Sequence, residues 1–214
     1  MNVLLLGSGG REHAMAWKLS QSSLLSTLYV APGNAGTEKI ATNVSLDPMD
    51  FSAVDRYIKR NGINMLIVGP EAPLVAGIVD YFEESSKHKD LVVIGPPKAG
   101  AILEGSKDFA KAFMARHNIP TADYQTFKSG ELKQAKAYLD KRKPPYVIKA
   151  DGLAAGKGVI ITEDRKEAES TIENMLDNAS FGEAGSKIVI EQFMDGIEVS
   201  SFVVTDGTAF KILP

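Results

Sequence analysis

Four short apolar runs, each stopped by glycine or proline and spaced by helix-length segments, constrain this chain most. They are NVLLL at 2–6, LYVA at 28–31, MLIV at 65–68 and LVVI at 91–94, and they stop at GSGG, PGN, GPEAP and GPP. Near-continuous apolar runs of this length mark strands buried on both faces. The segments 11–21, 51–60 and 74–84 carry helical spacing. In the first, Ala14 and Trp17 share a face with Met15 and Leu19 beside them; in the second, Asp50 stands at the cap position ahead of Phe51, Val54, Tyr57 and Ile58. Strands alternating with helices predict a parallel sheet covered on both sides. Ligands of such sheets sit beyond the carboxyl ends of the strands, so the four turns are expected to line one crevice.

The texture changes near residue 105. Helices are predicted over 107–117, 131–141 and 166–176, and strands over 146–150, 159–162, 188–192, 198–204 and 208–213. The interval between 150 and 159 is too short for a parallel crossover, so that pair is a hairpin. The fold class expected is α/β: a Rossmann-like parallel-sheet domain over 1–104, then an α+β, mainly antiparallel unit over 105–214, with the boundary between 97 and 106.

The bulk properties exclude several classes. A net charge of −3 and a pI near 5.7 offer no basic surface for nucleic acid or an acidic membrane. Absence of cysteine excludes a disulfide scaffold, a zinc-thiolate site and a thiol nucleophile. Ala14-Met15-Ala16 mimics a signal-peptidase site, but the apolar run before it is too short for a secretory core. A soluble, cytoplasmic protein is expected.

Two glycine-rich stretches point to phosphate chemistry. Gly7-Ser8-Gly9-Gly10-Arg11-Glu12 follows a strand and opens a helix, where backbone N–H groups face an anion. A dinucleotide turn wants glycine or alanine where Glu12 stands, and an acidic residue where Ala31-Pro32 stands. NAD is therefore disfavoured; a small phosphate ligand and a ligand-free turn both remain open. The second stretch, KADGLAAGKGV at 149–159, is not a P-loop, because Lys157 is followed by Gly158 instead of a hydroxyl residue. A glycine hairpin flanked by Lys149 and Lys157 can close over a nucleotide triphosphate; it can equally be an exposed hairpin with two surface lysines. Glu191 ends an apolar strand and can accept from an adenine amino group, and Glu198 can hold ribose hydroxyls; either can also be an ordinary strand-end charge.

GSGGREHA, APGNAGT, VGPEAPLV, LEGSKDFAK, IPTADY, VIKADGLAAGKGV and EQFMDGIE occur in this order along all 214 residues. Together they resemble the glycinamide ribonucleotide synthetase family, the ATP-grasp phosphoribosylamine–glycine ligases of purine biosynthesis. The resemblance implies that ATP phosphorylates the glycine carboxylate and that the amine of 5-phosphoribosylamine then attacks glycyl phosphate. It implies that Lys107 and Lys149 hold the ATP phosphates, that Gly156, Lys157 and Gly158 belong to a lid over them, and that Lys149 and Lys157 serve catalysis. Glu191 would meet the adenine amino group, the Phe193 backbone the ring edge and Glu198 the ribose. Gly9, Gly10 and Arg11 would meet phosphoribosylamine, with Pro32, Gly33, Asn34 and Glu71 in the same crevice and Glu71 on the sugar hydroxyls.

Family members continue into a second ATP-grasp lobe carrying the Mg²⁺ or Mn²⁺ ligands, so no metal ligand is expected within these residues. The 214-residue chain alone is expected not to complete the reaction. Rival readings are another ATP-grasp ligase or carboxylase, a noncatalytic nucleotide-binding module and, more distantly, a dehydrogenase. Glycine-dependent turnover separates the first reading from the module.

Overall fold

A computed structural model describes residues 1–85, 88–153, 158–177 and 187–213. The first unit holds β1 (Asn2–Gly7), α1 (Gly10–Ser20), β2 (Thr27–Pro32), β3 (Thr42–Asn43), α2 (Phe51–Asn61), β4 (Met65–Val68), α3 (Glu71–Ala76), α4 (Ile78–Glu83), β5 (Val92–Ile94) and α5 (Lys98–Gly105). The second holds α6 (Lys107–Arg116), β6 (Tyr124–Lys128), α7 (Leu132–Leu139), β7 (Tyr146–Ala150), β8 (Val159–Thr162), α8 (Arg165–Leu176), β9 (Lys187–Gln192), β10 (Val203–Thr205) and β11 (Phe210–Ile212).

The five strands of the first sheet run in the order β3-β2-β1-β4-β5, every neighbouring pair parallel. Successive side chains of a strand point to opposite faces. Leu4 and Leu6 of β1 therefore join Leu66, Val54, Ile58, Ile78 and Phe82 in one core layer, while Val3 and Leu5 join Ala16, Leu28 and Val30 in the other. The strands share one direction, so the turns after β1, β2, β4 and β5 lie along the same edge of the sheet.

Helix α2 starts where Asp50 accepts from the Ala53 amide at 2.9 Å and ends at Gly62 in the left-handed region. The apolar stripe of α1 is Ala16 with Met15 and Leu19; Trp17 faces outward at 56% exposure, out of phase with the expectation. The single helix expected over 74–84 is two short ones, because Gly77 takes φ +94° and ends α3.

The second sheet has the order β6-β9-β7-β8, antiparallel throughout, with the connection from β8 to β9 made through α8. Phe127, Tyr146, Ile148, Ala150, Ile188 and Ile190 face α7 and α8 and form its core. Strand β6 was not expected from the sequence: YQTFK alternates polar with apolar residues and lies at the sheet edge. The strands expected over 198–204 and 208–213 shrink to β10 and β11, a separate two-stranded antiparallel ribbon. The fold class is α/β: a parallel sheet with helices, followed by an antiparallel-sheet domain.

Candidate functional site

Glu12 organises the first glycine turn. Its carboxylate is buried, 4% exposed, and Oε2 accepts from the Gly9 amide at 2.7 Å. A Cβ on Gly7 would stand 2.4 Å from Glu12 Cγ, one on Gly9 2.9 Å from Oε2 and one on Gly69 2.3 Å from Oε1. Three glycines thus make room for one carboxylate. A negative charge already sits at the amino end of α1, where the helix dipole favours it. Glu12 thereby takes an amide that a dinucleotide pyrophosphate would use, and the dehydrogenase reading loses its phosphate seat.

Arg11 lies beside it. Nε donates to Glu12 Oε1 at 3.0 Å, one terminal nitrogen to Glu71 Oε1 at 3.1 Å and the other to the Gly69 carbonyl at 2.5 Å. Burial pulls the Arg11 pKa down, but hydrogen bonds and charge from Glu12 and Glu71 outweigh it and leave it raised. Arg11 and Glu71 line an open cleft of about 340 Å³ with Gly69, Pro96, Ala101 and Glu104 among its other walls. Gly10 has open space around its Cα.

The turn at Pro32-Gly33-Asn34 serves the first turn as a brace. Ala31-Pro32 is cis, Gly33 takes φ +76°, and the Gly33 amide donates to the Gly7 carbonyl at 3.1 Å. The Asn34 side chain donates to the carbonyls of Ser8 and Gly9 at 2.9 and 3.2 Å and accepts from the amides of Gly36 and Thr37 at 2.7 and 3.0 Å. Its polar atoms are thus engaged in holding two turns together. Pro32, Gly33 and Asn34 are not among the residues lining the Arg11–Glu71 cleft.

A second cluster lies on the sheet face of the second unit opposite its α7–α8 core. Register puts Val147 opposite both Glu191 and Ile161, and Lys149 opposite Val189 and Val159. These residues share one face, so Lys149 and Glu191 rise from an apolar floor on which Val159 and Ile161 are exposed. Lys149 Nζ donates to Glu191 Oε2 at 3.0 Å, and Lys111 Nζ stands 3.2 Å from the same oxygen.

Helix α6 is pinned to this face by its first turn. Ser106 Oγ accepts from the Phe109 amide, Asp151 accepts from Ser106 Oγ and from the Asp108 amide, and Thr126 Oγ1 donates to Asp108 at 2.7 Å. Lys187 pairs with Asp108 at 3.2 Å and Asp151 at 3.8 Å. Burial works to raise the Asp108 pKa, but Thr126 and Lys187 hold it below the ordinary value. Lys107, at the start of the helix, donates to the Gly152 carbonyl at 3.1 Å. Burial lowers its pKa most, Asp151 opposes this, and the charge of Lys149 adds to the lowering.

Lys149 and Glu191 therefore meet on one sheet face, and Lys107, at the start of α6, lies near enough for their charges to act on it. Gly158 is buried and its carbonyl closes the hairpin by accepting from the Ala150 amide at 2.8 Å. Gly156 and Lys157 lie outside the described residues. Phe193 and Glu198 follow β9 in exposed, irregular chain. Sequence reasoning missed Lys111, Asp151 and the apolar floor. Spacing held a signal for Lys111, four residues after Lys107 on one helix; Asp151 sits inside KADG itself.

Among the described residues no group of three or more His, Cys, Asp or Glu side chains could hold a metal ion. Glu191 is engaged by Lys149 and Lys111, and Asp108 and Asp151 by Thr126, Ser106 and Lys187, so Mg²⁺ does not fit here. Among the described residues no helix is long and apolar enough to cross a membrane.

Comparison with known proteins gives first the class. Residues 105–214 match the family model described as phosphoribosylglycinamide synthetase, ATP-grasp (A) domain, so the second unit is of the ATP-grasp class. Residues 1–104 match the N domain of the same synthetase. The chain belongs to the phosphoribosylglycinamide synthetase family. Phosphoribosylamine–glycine ligase of Haemophilus influenzae is 52% identical over 209 residues, which cover 97% of this chain and 47% of that protein. The solved phosphoribosylamine–glycine ligase of Thermotoga maritima superposes with a TM-score of 0.79 at 31% identity, over 100% of this chain and 49% of that one. N5-carboxyaminoimidazole synthase of Aspergillus clavatus, at 13% identity and a TM-score of 0.68 over 99% of this chain and 51% of that one, shares the fold. The chain spans about half the length of the curated relatives it matches.

Proposed function

We propose that this chain provides the substrate-facing and first ATP-grasp portions of a ligase joining glycine to 5-phosphoribosylamine. The products are glycinamide ribonucleotide, ADP and phosphate, formed in the cytoplasm. The observation that carries the reading is the meeting of Lys149 and Glu191 on an apolar sheet face, with Lys107 close by, in a chain whose family is that of the synthetase.

A carboxylate is a poor acyl donor until one oxygen carries a phosphoryl group as an acyl phosphate, whose phosphate is a good leaving group, and ATP supplies that activation. Charge on the phosphoryl group in flight is best met by fixed cations in a site that excludes water. In this reading Lys107, Lys149 and Lys157 face the phosphates, and Gly156 to Gly158 form a lid that protects glycyl phosphate from hydrolysis. Val147, Val159 and Ile161 provide a floor for the adenine ring. Glu191 accepts from its amino group, the Phe193 backbone pairs with the ring edge, and Glu198 holds the ribose. Phosphoribosylamine occupies the edge of the parallel sheet, against Gly9, Gly10, Arg11 and Glu71, with Pro32, Gly33 and Asn34 shaping the turn beside it. The two units divide at 104/105. Mg²⁺ is held by residues other than those described, in the half that relatives add to this length, and the 214-residue chain alone does not turn over.

The test is glycine-dependent ADP release with phosphoribosylamine supplied, comparing this chain with the full-length protein that carries it. Turnover by the longer protein alone is expected. Turnover by the 214 residues would place a complete metal site within them. ATP binding without glycine-dependent release by the longer protein would favour the noncatalytic module instead.

A further inference from the structure

We propose that Lys111 is a positioning residue: a resident counter-ion for Glu191 that leaves Lys149 free to move onto nucleotide phosphates. The inference rests on the reading of Lys149 as a phosphate ligand.

The two lysines reach the same carboxylate oxygen but are held differently. Lys111 is buried, 6% exposed, and its ammonium meets Thr121 Oγ1 at 2.8 Å, the Ala122 carbonyl at 3.3 Å and Glu191 Oε2 at 3.2 Å. Two of these contacts are hydrogen bonds and the third, to Glu191, is an ion pair. It also lies 5.5 Å from the centroid of the Tyr124 ring, and Tyr124 pairs with Glu191 across the sheet. Lys111 is thus fixed from all sides. Among the described residues Lys149 has one hydrogen bond, to Glu191, and its side chain is 27% exposed.

Glu191 is itself only 6% exposed. A carboxylate that deep resists losing its partner, because an unpaired buried charge is strongly disfavoured. With Lys149 as sole partner, every approach of Lys149 to a phosphate would strand Glu191. With Lys111 in place the carboxylate stays paired whichever way Lys149 points. Two ammonium groups on one carboxylate also leave one net positive charge at the site before any anion arrives. Both lysines use Oε2, which leaves Oε1 for the adenine amino group.

The experiment measures ADP affinity of the full-length protein that carries this chain, by calorimetry, for the parent, Lys111→Met, Lys111→Arg, Glu191→Gln and Lys111→Met/Glu191→Gln. Lys111→Met is expected to weaken ADP by at least about tenfold, and Lys111→Arg, which keeps the charge, by no more than about threefold. Adding Glu191→Gln to Lys111→Met is expected to return affinity to the level of Glu191→Gln alone, since no buried charge remains to be stranded. A merely structural lysine would give additive losses and no such return. Lys111→Met that binds like the parent, or a double variant whose loss is the product of the single losses, would overturn the proposal. Parent protein that binds no ADP would overturn the ligase reading and this inference with it. If Lys111→Met does not fold, a crystal structure of the parent with ADP decides. Lys149 should have left Glu191 for a phosphate oxygen while Lys111 stays within hydrogen-bond distance. Lys149 still seated on Glu191 beside bound ADP would sink the idea.

Discussion

Lys107 sits where its own charge is disfavoured, half-buried and near Lys149. A lysine whose folded pKa lies below its unfolded value near 10.5 destabilises the fold while charged. The unfolded chain binds the proton more readily, so this penalty is present at neutral pH and fades as pH rises through the folded value. Lys107→Met is therefore expected to raise the urea midpoint at pH 7 and to lose that advantage in alkaline solution. The same change should weaken ATP binding by the full-length protein by roughly 10–100-fold, the range for one hydrogen bond to a charged group. Stability and binding moving in opposite directions would mark a residue placed for its ligand. A midpoint that falls with the affinity would show Lys107 to be part of the scaffold.

At the scale of elements, the break between α3 and α4 depends on one residue. Gly77 takes φ +94°, and a Cβ there would meet nothing closer than 3.5 Å, so the backbone alone opposes substitution. Gly77→Ala is expected to cost about 1–2 kcal/mol in urea unfolding, the range for an L-residue held in the left-handed region. A neutral result would mean the two helices can merge as their sequence suggests. That junction also shows what was legible. Strands β1, β2, β4 and β5 could be read because an apolar run closed by glycine or proline has few other meanings. Lys149 stood out because a lysine beside a glycine hairpin is chemically pointed, and Glu191 because it ends an apolar strand; Lys107 came only with the family resemblance. Helix α5 was missed because Gly100 and Gly105 break helical expectation; both are small where Pro96 and Val75 press close. Strand β6 was missed because its pairing with β9 comes from residues far along the chain. Lys111 was passed over because its role appears only once Thr121, Ala122 and Glu191 are brought to it. Glu12 was seen only as a departure from a pattern, since the three glycines around it come from two separate turns.

At the scale of the whole molecule, the two main sheets carry three apolar clusters, and among the described residues several large apolar side chains near the end of the chain join none of them. Ile197, Val199, Phe202, Phe210 and Ile212 are all more than half exposed, with Ile197 at 92%. Exposed apolar patches of this kind drive association. The 214-residue chain is expected to bind an apolar dye and to scatter more light as its concentration rises. Phe210→Ser/Ile212→Thr should reduce dye binding to roughly half or less while leaving the main thermal transition in place, since neither side chain joins any of the three core clusters. Dye binding unchanged by that pair would locate the sticky surface elsewhere.

The seat of Glu12 among Gly7, Gly9 and Gly69 also limits how this turn can change by descent. Enlarging any of the three glycines drives a new carbon against the carboxyl group. Shortening Glu12 opens a void and leaves the Gly9 amide and the Arg11 Nε without their acceptor. Four positions from two turns are thus bound into a single heritable unit. Reaching a dinucleotide-binding turn from this one would take several of these changes together, because each glycine is held small by the same carboxylate.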